Sequence, residues 1–314
     1  MAVQLICCSH SPLMMTDIEE SRQNIQADFR AEMDRMSAEL HRFSPDLVVI
    51  FGPDHFNGFF FEMMPPFCVG LAAEGSRDWG LEGGPLRVPK SLALDCATEL
   101  LGRDIDVAVS HDMKIDHGMS IPLMQLTGSL ARYDVLPFFI NCAAAPRPSM
   151  RRARQLGAAV GKFLADRHLR VSIIGSGGLS HDPPTPRLDR TSHAVAQRLI
   201  KGTQPTTEEL QAREARVMRA ARDLVAGKGP CMPPNETWDR RFMQHIIDGD
   251  FAAMDAINDA EIDRHAGFGG HEVRTWVAAA AAAEALGAQL PSLRHYAVIP
   301  EWLTGMGIVT AEAA

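Results

Sequence analysis

No Cys-x-x-Cys pair occurs among the six cysteines, at positions 7, 8, 68, 96, 142 and 231, which excludes a zinc knuckle or a thioredoxin motif. Several of them sit in apolar runs, where a reduced cysteine behaves as a small hydrophobe, as expected of a cytoplasmic protein. No basic cluster stands out either. With 31 basic against 39 acidic residues and a net charge of −8, the chain is not built to hold a polyanion, and nucleic acid is not an expected partner. The opening residues, MAVQLICCSH, lack a basic region followed by a long apolar core and predict no signal peptide. WVAAAAAAEAL, from Trp276 to Leu286, is too short for a membrane span and is interrupted by Glu284. It predicts an alanine-rich packed helix and no membrane partner. Catalytic signatures are missing as well. There is no His-Glu-x-x-His, and GSGGLS fits neither the dinucleotide fingerprint, because residue 180 is serine, nor the nucleophile elbow, because Ile174 stands where the first glycine belongs.

What the chain does have is alternation of strand and helix. Its 314 residues are 46% hydrophobic and 22% charged, enough to bury a sizeable core. Apolar runs predict strands at 3–8, 46–51, 106–111, 134–141 and 170–177, and helices fall between them, at Glu19 to Arg42, Pro89 to Leu101 and Arg151 to Arg167. In the first helix Phe29, Met33, Met36, Leu40 and Phe43 share a face at three- and four-residue spacing. Residues 188–286 read as mostly helical with no convincing strand, and no flexible linker precedes them. The expected fold is therefore a three-layer α/β/α sandwich over residues 1–314, a single domain with a mainly parallel central sheet and a helical C-terminal layer.

In open α/β sheets ligands bind beyond the carboxyl ends of the strands. The first predicted strand is followed by CCSHSPL with His10, and the second by GPDHFNG with His55. HDMKIDHGMS, with His111 and His117, follows the third, and GSGGLSHDPP, with His181, follows the fifth. Only the fourth, ending in FINCAAAP, has none, although the whole chain holds 12 histidines. Separate strand ends should deliver these imidazoles into one crevice, where they can bind a metal or move protons near neutral pH. Two imidazoles leave a divalent ion short of a carboxylate. Asp54 could supply it or simply cap the next turn. Glu272, at the start of the helix in GGHEVRTWVAAAAAAEAL, is the better candidate, with His271 as a competing ligand or an N-cap. Two histidines and one carboxylate on one face of an octahedron leave three positions open, as in non-haem Fe(II) oxygenases.

CCSHSPL, FGPDHFNGFFFEMMPPFC, IDHGMSIPL, GSGGLSHDPP, HEVRTWVAA and IPEWLTGMG together resemble the type III (LigB-like) extradiol dioxygenases, in order from residue 5 to about 309. The resemblance implies that Fe(II) is held by His10, His55 and Glu272, with His117 as proton donor and His181 as proton acceptor. It implies extradiol cleavage by O2 of a 3-substituted catechol, one with a propionate or cinnamate side chain, in a homo-oligomer such as a tetramer. The phenylalanines after His55 should then wall a pocket for an aromatic ring. Cleavage of another catechol or an aminophenol, and a metal-binding role without oxygenase activity, are the alternatives. The tail YAVIPEWLTGMG could line its own pocket or a neighbour's.

Overall fold

In the computed structural model, which describes residues 2–16, 24–202 and 206–312, the strands form one large sheet and one small one. In chain order they are β1 (Val3–Cys8), β2 (Leu47–Gly52), β3 (Phe67–Gly70), β4 (Ala73–Gly75), β5 (Gly84–Pro85), β6 (Ala108–Ser110), β7 (Met113–Ile115), β8 (Val135–Ile140), β9 (Val171–Ser176), β10 (Ser292–Ile299) and β11 (Thr304–Glu312). The large sheet runs β10-β11-β1-β9-β2-β8-β3-β6, and β5-β4-β7 make the small one. Its centre, β1-β9-β2-β8, is parallel throughout, with Cys8 opposite Ser176 and Phe51 opposite Gly175. Among the described residues, antiparallel pairing enters the large sheet through β11 beside β1, the β10–β11 hairpin and β3 beside β8.

The helices are α1 (Ile25–Phe43), α2 (Lys90–Gly102), α3 (His117–Thr127), α4 (Met150–Ala165), α5 (His193–Lys201), α6 (Thr207–Val225), α7 (Glu236–Ile247), α8 (Phe251–Ala256), α9 (Asp259–His265) and α10 (Arg274–Ala285). They cover both faces of the sheet, which explains why the central strands read as unbroken apolar runs. Val3, Leu5, Cys7, Leu47, Val49 and Phe51 pack toward residues of α2, α4, α7 and α10. Their alternates Ile6, Cys8, Val48 and Ile50 pack toward α1, α3 and α6. The three-layer sandwich expected from the sequence is the observed architecture. On α1, Phe29, Met33, Met36 and Leu40 are buried, and Phe43 is half-buried. All six cysteines are free and buried. Among the described residues, no helix is long and apolar enough to cross a membrane.

Several elements escaped the sequence reading. β4, β5 and β7 are only two or three residues long, too short to show a period. β10 lies at the sheet edge, half-exposed along most of its length, and so carries no apolar run. The third predicted strand shrinks to Ala108–Ser110. The expected start of the first helix at Glu19 lies outside the described residues.

α10 lies against β9 and β1 and packs on α4 at unusually close range. A Cβ placed on Gly157 of α4 would stand 1.9 Å from the Ala278 carbonyl oxygen of α10, and one on Gly161 would stand 2.4 Å from that of Ala282. Because backbone atoms cannot swing aside, Gly157→Ala should destabilise the protein by about 1–3 kcal/mol through overpacking. That loss outlasts the gain of about 0.5–1 kcal/mol that alanine brings to a helix interior. Gly102→Ala, with nothing within 4 Å of its Cβ, should stay within about 0.5 kcal/mol of wild type. Urea denaturation of the two variants checks the contrast; equal midpoints would refute the close-packing account.

Candidate active site

β1, β9 and β2 are adjacent and parallel, so the loops after them open at the same edge of the sheet. These loops carry His10, His181 and His55. β11 starts at that same edge, and an isolated bridge pairs Thr304 with His181. His117 arrives by a different route from the one the sequence suggested. It follows β7 of the small sheet and opens α3, because the chain turns back at residues 111–112 before running into that helix. His111 remains on that turn, exposed, and does not join the others.

Each of the four rings is held from behind by its Nδ1 atom. His55 Nδ1 lies 3.0 Å from Asp116 Oδ2, His117 Nδ1 2.5 Å from Asp78 Oδ2, and His181 Nδ1 2.9 Å from the Leu179 carbonyl oxygen. These partners only accept, so Nδ1 carries the proton in all three. His10 Nδ1 lies 3.1 Å from Ser176 Oγ. That hydroxyl donates its own proton to the Gly118 carbonyl oxygen and therefore accepts from His10. With Nδ1 protonated on every ring, each neutral ring keeps its lone pair on Nε2, the tautomer a metal ligand or a proton acceptor needs.

The Nε2 atoms converge on Glu272. That of His55 lies 3.0 Å from Oε1 and that of His181 3.4 Å from Oε1, while that of His10 lies 3.9 Å from Oε2. Gly178 N–H donates to Oε2 at 3.0 Å, so the glycine turn after β9 serves this carboxylate. Glu272 sits in a short 3-10 turn, Phe268–Val273, immediately before α10 rather than inside the helix. Glycine is required just upstream: a Cβ on Gly269 would fall 2.0 Å from His181 Nε2. His271 points elsewhere. Its Nε2 lies 2.9 Å from Asp263 Oδ1 and its Nδ1 accepts from Arg274 Nη1 at 2.8 Å. Asp54 accepts from the backbone N–H groups of Asn57, Gly58 and Phe59, the capping role considered for it.

Electrostatics follow from this crowding. Burial drives the His10 pKa down to about 3, only partly opposed by the charge of Glu272, so this imidazole is neutral. For Glu272 burial pushes upward, but the charge and hydrogen bond of His181, then His55, hold it well below the usual carboxylate range. His55 is the converse case. Burial disfavours its charge, yet Asp116 and Glu272 on either side raise it well above the ordinary histidine value. Burial likewise pushes Asp78 upward, and the charge and hydrogen bond of His117 hold it below the ordinary aspartate value. A positive charge is therefore favoured between Asp116 and Glu272.

A cavity of about 680 Å³ opens in front of the imidazoles, within the usual range for a small-molecule site. Phe56 and Phe60 line it, whereas Phe59 stacks on Phe139 and Phe61 on Phe56, so the aromatic run after His55 is only partly a wall. Trp302, Leu303 and Thr304 line the cavity of their own chain. The sequence reading missed the groups behind the rings. Asp116 had a signal, standing at the N-cap of α3 beside His117. Asp78 had none, since only the fold brings it 39 residues along the chain to His117.

Converging imidazoles, a buried carboxylate and an adjoining cavity with an apolar side fit a metal-dependent enzyme acting on a small organic molecule. The chain belongs to the LigB family, the catalytic subunits of aromatic ring-opening dioxygenases, whose model matches residues 4–307, and it is an Fe(II)-dependent dioxygenase. It is 46% identical over 319 residues to a protein of Cupriavidus pinatubonensis, with 100% of this chain and 99% of that one covered. It is 46% identical over 307 residues to one of Mycolicibacterium vanbaalenii, covering 98% and 96%, and 45% identical over 311 residues to one of Paraburkholderia xenovorans, covering 99% and 98%. All three relatives are named 2,3-dihydroxyphenylpropionate/2,3-dihydroxicinnamic acid 1,2-dioxygenase.

Asp116 is fully buried and accepts from His55 N, His55 Nδ1, Asn57 Nδ2 and Gly118 N at 2.7–3.0 Å. Asp116→Ala leaves those donors without a partner and should lower stability by about 3–5 kcal/mol. Asp116→Asn keeps one acceptor oxygen and should lose less. Chemical denaturation measures both, and an alanine variant as stable as wild type would contradict the hydrogen-bond assignment.

Proposed function

We propose that this chain performs extradiol cleavage of a 3-substituted catechol, 2,3-dihydroxyphenylpropionate or 2,3-dihydroxycinnamate, with iron held by His10, His55 and Glu272. The observation that carries the reading is the convergence of His10 Nε2 and His55 Nε2 on one buried carboxylate. This donor set fits a hard-to-borderline divalent ion: two neutral nitrogens, one anionic oxygen, and outward nitrogens already fixed. A nitrogen of His117 also lies within 4.8 Å of those of His10 and His55, which raises a three-histidine set as a second reading. Charge disfavours it. Three neutral imidazoles would leave Glu272 buried beside the ion yet outside its coordination, an uncompensated anion in a low-dielectric site.

His10, His55 and Glu272 would hold the Fe(II), which would supply the Lewis-acid and spin-allowed redox chemistry that lets O2 react with the ring. The protein handles protons and position. His181, with Nδ1 donating to the Leu179 carbonyl, presents Nε2 at the cavity and accepts a hydroxyl proton from the catechol. His117, its Nδ1 committed to Asp78, can exchange a proton with substrate only through Nε2, and we assign it the donation to the departing oxygen. Its ring stacks on that of His55 at 4.3 Å between centroids, which keeps it beside the reacting atoms. Each such proton transfer is worth about 10²–10⁴-fold in rate. The reading extends to one catalytic domain spanning 1–314, a cytoplasmic location and a homo-oligomer such as a tetramer. Six free buried thiols are in keeping with a reducing compartment.

Iron content and turnover, measured together, test this division. Glu272→Ala, His10→Ala and His55→Ala should each lose bound iron, while His271→Ala keeps it. His117→Gln and His181→Gln should retain iron near the wild-type level and lose about 10²–10⁴-fold in turnover. A catechol with more acidic hydroxyls should partly rescue His181→Gln but not His117→Gln. Iron loss from His117→Gln with retention in Glu272→Ala would favour the three-histidine set. Faster turnover of 2-aminophenol or plain catechol than of either carboxylated catechol would refute the substrate assignment.

A further inference from the structure

Among the described residues, five cationic side chains line the cavity: Arg77, Lys114, Arg198, Arg213 and Arg216. Three of them are already committed. Lys114 Nζ pairs with Glu74 at 2.8 Å and Asp112 at 3.0 Å, and Arg198 pairs with Glu209 at 3.0 Å. Arg213 donates to Asn57 Oδ1 at 3.0 Å and to the His55 carbonyl oxygen at 2.9 Å. Among the described residues Arg77 and Arg216 have no acidic or hydrogen-bonding partner. We propose that Arg216 is the specificity-determining residue that binds the side-chain carboxylate of the substrate, an inference that rests on the carboxylated-catechol reading.

Three features separate Arg216 from Arg77. Glu209, Leu210, Ala212, Arg213, Arg216 and Val217 all line the cavity, and their three- and four-residue spacing places them on one face of α6. Arg216 therefore stands less than one helical turn of about 5.4 Å from the arginine that grips His55, within reach of the far end of a ring bound at the imidazoles. The local charge is also of one sign. Arg198, Arg213 and Arg216 face a single carboxylate, Glu209, whereas the chain around Arg77 contributes Glu74 and Asp78 to the lining. Desolvation at the cavity wall, then the charges of Arg213 and Arg198, hold the Arg216 pKa below the ordinary arginine value. An anion arriving there relieves repulsion among the three guanidiniums. Finally, the fork of Arg216 is unused, and a planar guanidinium matches a carboxylate bidentately.

The test compares kcat/KM for 2,3-dihydroxyphenylpropionate with that for its propyl analogue, in which a methyl group replaces the carboxylate. In wild type the acid should be preferred. Arg216→Gln should lower that preference about tenfold to a hundredfold, the worth of a hydrogen-bonded charge, mainly through KM, and Arg216→Lys should restore part of it. Calorimetric titration with 3-phenylpropionate, which has the carboxylate but no catechol, gives a readout independent of turnover, and its Kd should weaken by a similar factor. A preference unchanged in Arg216→Gln, or lost instead in Arg77→Gln, overturns the assignment while leaving the substrate reading intact. If wild type itself shows no preference for the acid, the substrate reading falls, and the role of Arg216 falls with it.

Discussion

The site turns on one buried carboxylate faced by three imidazoles. Glu272 is 4% exposed, and with Asp78 and Asp116, also buried, it places three acids beside four histidines away from water. A buried anion must be compensated, and the compensation here is arranged by geometry rather than left to solvent. Asp116 and Asp78 are answered by the Nδ1 protons of His55 and His117. Among the described residues, Glu272 meets only Nε2 atoms and the Gly178 N–H. A proton on His55 or a divalent cation can both satisfy it. On the proposed ligand set, metal loading would exchange a proton for a metal at a position whose charge the surrounding acids have already fixed.

That position is set by the scaffold more than by the loop carrying it. Glu272 sits in a 3-10 turn that runs directly into α10, and α10 is clamped to α4 where Gly157 and Gly161 allow backbone contact. On the other side, the register of β1, β9 and β2 fixes where the loops of His10, His181 and His55 leave the sheet. Helix and sheet meet at Thr275, whose hydroxyl donates to the Ser176 carbonyl oxygen, and at Trp276, whose indole N–H donates to that of Gly177. Both acceptors lie at the end of β9. The carboxylate and the imidazoles are therefore parts of one rigid unit, the preorganisation that the proposed iron ligands call for.

Legibility in the sequence followed the physics of each element. The four central strands were readable because burial on both faces makes them continuous apolar runs, and α10 because its alanines are packed. His10, His55 and His181 were readable because strand ends of a parallel sheet share an edge. What could not be read was contact between distant residues. Asp78 reaches His117 through a small sheet whose strands are two or three residues long, below any pattern length. The orientation of His271 away from Glu272 depends on Asp263 and Arg274, which spacing alone could not decide. For the same reason His117 looked like a strand-end residue, when its place at the start of α3 depends on the short return strand β7.

Recognition at the two ends of the cavity is mechanically linked. Arg213 spends its guanidinium on the His55 carbonyl oxygen and on Asn57. Asn57 in turn donates to Asp116, which holds the His55 ring. α6 is thus tied through Arg213 and Asn57 to Asp116, the group that orients the His55 imidazole. On the other side α6 packs on Pro300–Trp302, and Trp302 and Val217 supply apolar lining. A ligand fixed at the imidazoles by its ring oxygens presents its side chain to a wall whose distance from those imidazoles is set by covalent and hydrogen bonds, not by a mobile loop. Such an arrangement measures side-chain length as well as charge. An acid one carbon too short or too long must then forfeit either the guanidinium or the placement of its ring, and misplaced reacting atoms lose rate steeply.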